Sequence, residues 1–106
     1  MMTSSAYFSG QTSTFNVFTV MDTVGVGATF EYYAINTASS RFRYGQVMVV
    51  WNSTSDTVEY TDISTQDLGG STADLSFSVA IVSNTLTLTA NISAGTWTIK
   101  IGARIL

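Results

Sequence analysis

From residue 14 onward, apolar and polar residues alternate in short runs, and each run ends in small polar residues or glycine. A period of two is the signature of β-strands. The pattern predicts strands over 14–20, 28–35, 41–51 and 57–63. In the first of these, Phe15 and Val17 share one face while Phe18 and Val20 share the other, a phase slip that fits a β-bulge or a strand covered on both faces. In the third, Val47, Val49 and Trp51 fall on one face and Phe42, Tyr44, Met48 and Val50 on the other. Both faces are apolar towards its end, so this strand is expected to be central.

The last third has the cleanest alternation. Leu75, Phe77, Val79 and Ile81 point one way, and so do Leu86, Leu88, Ala90 and Ile92 in the next run. Trp97, Ile99, Ile101, Ala103 and Ile105 complete the series. Ser83-Asn84 reads as a tight turn, and Ser93-Ala94-Gly95 as a hairpin loop with Gly at a positive φ. Together these runs predict a three-stranded antiparallel meander with one apolar face and one Thr-rich wet face. The chain is therefore expected to be all-β, an antiparallel β-sandwich or jelly-roll of about seven strands. Residues 14–106 form the single domain. Residues 1–13 are small and polar around one apolar pair, Tyr7-Phe8, and read as an N-terminal arm that orders only against a partner.

Composition sharpens this picture. Of 106 residues, 45% are hydrophobic and only 10% charged, against about 25% charged in an ordinary soluble domain. So little surface charge suggests cover by other chains. There are 14 Ser and 17 Thr and no Pro, so turns rest on Gly, Asn, Asp and Ser. The four cations are Arg41, Arg43, Lys100 and Arg104, and the net charge is −3. That is too few for a nucleic-acid footprint. No apolar run is long enough to span a membrane as a helix, and no basic-then-apolar leader opens the chain. The reading is a chain either intracellular as made or exported within a larger assembly.

The chemistry available is narrow. The chain has no Cys and no His, which removes the familiar triads and zinc sites. Asp56, Glu59 and Asp62 flank one strand, but they read as a solvated face rather than an acid–base pair. Adding Asp67 gives no EF-hand spacing. Asn52-Ser53-Thr54 and Asn91-Ile92-Ser93 are read as chance matches to a glycosylation triplet. Catalytic, cofactor and metal residues are therefore expected to be absent. The aromatic first half (Tyr7, Phe8, Tyr32, Tyr33, Phe42, Tyr44) offers core packing, a sugar platform or interface anchors.

Several stretches carry a likeness. Arg43-Tyr44-Gly45-Gln46-Val47-Met48-Val49-Val50-Trp51, Val58-Glu59-Tyr60-Thr61, Phe77-Ser78-Val79, Asn84 to Ala90, and Gly95-Thr96-Trp97-Thr98-Ile99-Lys100 together resemble a β-domain of tailed-bacteriophage virion proteins. The likeness covers roughly residues 40–106 through loose strand patterns. It implies a non-enzymatic structural protein of the virion, homotrimeric and in contact with other virion chains such as the major capsid protein. A chain that opens on Met, without linker, repeat or heptads, points to capsid decoration or cement; a tail-fibre tip is the other placement. Neither nucleic acid nor membrane is expected as a partner. Tyr7, Phe8, Arg41 and Arg43 are the expected interface residues. The alternative is a carbohydrate-binding module recognising a host-surface glycan through Trp51 or exposed tyrosines.

Overall fold

The computed structural model describes all 106 residues. It contains eight strands: β1 (Met2–Gln11), β2 (Phe15–Met21), β3 (Gly27–Asn36), β4 (Arg41–Asn52), β5 (Thr57–Ser64), β6 (Leu75–Val82), β7 (Thr85–Ile92) and β8 (Trp97–Ile105). The only helical element is one 3-10 turn, Asp22–Val24. A five-stranded sheet in the order β1-β8-β3-β4-β5 packs on a three-stranded sheet in the order β2-β7-β6. Every pairing is antiparallel. The chain is a β-sandwich.

Alternation explains the core. Phe30, Tyr32 and Ala34 of β3, Val47, Val49 and Trp51 of β4, and the odd-numbered residues of β8 from Trp97 to Ile105 face inward from the larger sheet. Leu75, Phe77, Val79, Leu86, Leu88 and Ala90 meet them from the smaller one. Phe18 packs on Phe30 with centroids 5.3 Å apart, and Tyr32 on Phe77 at 4.4 Å. The phase slip in β2 is a register shift between Asn16 and Phe18, which lets Phe15 and Val17 before it and Phe18 and Val20 after it all pack against the core. Ser83 and Asn84 both have positive φ, 50° and 62°, as a two-residue turn joining β6 to β7 requires.

Two expectations are corrected. Residues 2–11 are an edge strand of this chain's own sheet, paired with β8 from Met2↔Ile105 to Gln11↔Trp97. The sequence hides this strand because only Ala6 and Phe8 turn inward; β8 supplies the backbone partners that order the rest. Second, β7 and β8 do not form a hairpin. Ser93-Ala94-Gly95 carries the chain across from one sheet to the other, so the meander stops at β7. Gly95 does have a positive φ of 92°. A Cβ there would come within 2.6 Å of Asn36 Nδ2 and 3.1 Å of Trp97 Nε1. Strand β4 is central as expected, flanked by β3 and β5, and the second sheet covers only its inner face. Phe42, Tyr44, Met48 and Val50 lie open on the outer face.

Candidate functional site

Register assembles a surface on the outer face of the large sheet that linear sequence does not show. Tyr7 pairs with Lys100, Lys100 with Tyr33, and Tyr33 with Tyr44. These four residues form one row across β1, β8, β3 and β4. At the usual interstrand spacing the row is about 14 Å long. The next row is Ser5, Gly102, Glu31, Gln46 and Ile63, and the one beyond it Thr3, Arg104, Thr29, Met48 and Thr61.

The face divides into two halves. Over β4 and its flanks it is apolar: Phe42, Tyr44, Met48, Val50, Ile63 and Leu68 are all exposed, from 40% for Met48 to 67% for Leu68. At one end, Tyr33, Ile35, Phe42, Tyr44, Thr65 and Leu68 line a hollow of about 320 Å³. Over β8 and β1 the face is polar. Gly102 has no side chain, and its bare backbone floors a trough of about 400 Å³ lined by Thr3, Ser4, Thr29, Glu31, Gln46 and Arg104. A second depression of about 280 Å³ joins it at Glu31 and Gly102 and is bordered by Ser5, Tyr33, Tyr44 and Lys100. The Tyr44 hydroxyl donates to Glu31, and that bond holds the Tyr44 phenol above its ordinary pKa.

The four expected interface residues fall into different settings. Tyr7 is exposed in the tyrosine row. Phe8 turns inward and meets Phe15 edge-on at 5.0 Å. Arg41 and Arg43 lie on the inner face of β4 and have intrachain work. Arg41 donates to the Ser71 carbonyl at 3.2 Å. Arg43 Nε donates to the Tyr32 hydroxyl at 3.1 Å, and its Nη1 donates to Thr72 O, Thr72 Oγ1 and Leu75 O at 3.1–3.3 Å. The two arginines therefore hold the loop 65–74 over the end of the sandwich. Asp67 finishes that loop by accepting from both the Thr72 amide and its hydroxyl, which holds its carboxyl below the ordinary range. Gly69 and Gly70 have positive φ, 86° and 135°, and pass close to Ser40 and the Arg41 guanidinium. Trp51 is buried, with its indole donating to the Asp22 carbonyl at 2.8 Å, so it offers no platform for a sugar.

The carboxylates stay dispersed. Asp62 accepts from the Tyr32 hydroxyl at 2.9 Å, Asp67 is committed to Thr72, and Glu59 and Asp56 face solvent. No three of the acids gather into a group able to hold a metal ion. Among comparisons with known proteins, no family model and no curated protein matches the chain.

Tyr32 gives a measurable consequence. Burial, with a smaller push from the Asp62 carboxylate, raises its phenol from 10.0 to about 12, against the opposing pull of the Arg43 guanidinium. The fold holds the neutral phenol. Its contribution to stability is whole below pH 10 and is lost as pH rises from there through about 12. Spectrophotometric titration at the tyrosinate band should show a phenol ionising at about 12 that disappears in Tyr32→Phe, while the raised Tyr44 phenol remains. Identical curves for the two proteins would contradict this account.

Proposed function

We propose that this protein is a non-catalytic structural protein of a bacteriophage virion, a capsid-decoration or cement protein that works by protein–protein contact as a homotrimer. The observation that carries the reading is the open apolar half of the outer sheet face, from Phe42 to Val50 with Ile63 and Leu68 beside it. Contiguous apolar surface of this kind marks an interaction site. The occupant assigned to it is a second copy of the chain. The outward residues of β4 between Phe42 and Val50 (Phe42, Tyr44, Gln46, Met48, Val50) carry no charge, so copies meet there without like-charge repulsion. The setting is taken from the resemblance of its strand patterns to phage virion domains, and the major capsid protein is the neighbour the oligomer would sit on.

Mass spectrometry of purified particles tests the setting. The chain should be present in a fixed ratio to the major capsid protein. Met48→Lys with Val50→Lys should fold normally, since both side chains are exposed, yet be depleted from particles. A chain found only outside the particles would end the structural reading.

A further inference from the structure

The polar half of the same face is unexplained by assembly, and its charge is not scattered at random. Of four side-chain cations, Arg41 and Arg43 are spent on loop carbonyls. Lys100 and Arg104 are exposed, make no hydrogen bond within the chain, and both project outward from β8 on either side of Gly102. A protein of net charge −3 thus places both of its free side-chain cations on one polar face, Arg104 lining the trough and Lys100 the depression that joins it.

We propose that this trough binds a carboxylate-bearing saccharide, of the uronate or sialate type. The Arg104 guanidinium takes the carboxylate through paired N–H donors, and Lys100 adds a second positive charge. Tyr33, which borders the adjoining depression beside Lys100, gives the apolar ring surface that a pyranose needs, with its hydroxyl at the rim. Glu31, Thr3 and Thr29 supply acceptors and donors for sugar hydroxyls. The bare Gly102 backbone lets the ring settle close to the sheet; the nearest atom a Cβ there would meet is 4.0 Å away, so any side chain would fill the trough itself.

Other anionic ligands fit less well. Nucleic acid requires more cations than two to neutralise successive phosphates. An acidic peptide would be captured along an open strand edge through its backbone, and this trough lies on a closed sheet face between paired strands.

The test is calorimetric titration of the full chain with three probes: a uronate trisaccharide, its carboxyl-reduced neutral counterpart, and an oligo-glutamate peptide of equal charge. The uronate should bind, more weakly as salt rises, with the neutral sugar and the peptide each at least about tenfold weaker. Arg104→Gln should lose at least about tenfold, and Arg104→Lys should recover only part of it. Tyr33→Ala should weaken binding of the uronate with circular dichroism unchanged. Equal affinity for the neutral sugar, equal affinity for the peptide, or no heat with the uronate would each overturn the proposal.

Discussion

Replacing Trp97 with alanine is expected to cost about 3–5 kcal/mol, enough to unfold a domain of ordinary stability or bring it close to unfolding. Trp97 is fully buried and is the largest of the wholly enclosed side chains. It opens β8, the strand that the chain reaches by crossing between sheets, and it pairs with both Gln11 of β1 and Asn36 of β3. Its indole donates to the Ala94 carbonyl at 2.8 Å, which fixes the crossover in place. Alanine would leave a cavity at the junction of three strands and release that bond. Trp97→Phe keeps most of the volume and should cost clearly less. Urea denaturation of the three proteins measures both differences. Equal midpoints for the wild type and Trp97→Ala would mean the indole is not packed as described.

Arg43→Ala is expected to cost about 3 kcal/mol, in a different way. Bonds from a charged donor are worth about 1.5–3 kcal/mol each, and truncation strands the acceptors it leaves behind. Thr72 and Leu75 are almost wholly buried, and their carbonyls face the guanidinium. The total is held below a simple sum because Arg43 Nη2 is itself buried without a partner. Arg43→Lys keeps the charge but loses the fork, so it should recover less than half of the loss. Hydrogen exchange would show the difference in kind. Arg43→Ala should loosen residues 65–74 selectively, because Phe42 and Tyr44 bond that loop to β4 and Arg43 bonds it to the interior. Trp97→Ala should instead loosen both sheets. Uniform loosening in Arg43→Ala would contradict the strut role.

How far the sequence revealed this structure depended on where the governing contacts lay. Strands from Phe15 to Ile105 were legible because one covered face per strand writes itself as alternation. The bulge in β2 and the Ser83-Asn84 turn were legible for the same local reason. Strand β1 was not, since Ser, Thr and Gly fill it and its order comes from the free edge of β8. The crossing from β7 to β8 was also hidden: three small residues serve a hairpin and a sheet-to-sheet link equally well. In β4, apolar residues on both faces pointed to a central strand, and it lies between β3 and β5; that its outer face stays open was not written in the pattern. The tyrosine row could not be read at all. Its members lie at positions 7, 33 and 44 with Lys100 among them, and only strand register makes them neighbours. Arg41 and Arg43 drew attention as adjacent charges on one strand, whereas their partners are carbonyls about thirty residues away.

The account rests on the apolar half of the outer face being covered by another copy of the chain. Native mass spectrometry of the wild type beside Met48→Lys/Val50→Lys addresses this directly. The wild type should appear as a trimer that persists on dilution into the micromolar range, and the double variant as a folded monomer. A wild type that is monomeric at every concentration, or a variant that assembles as the wild type does, would contradict it.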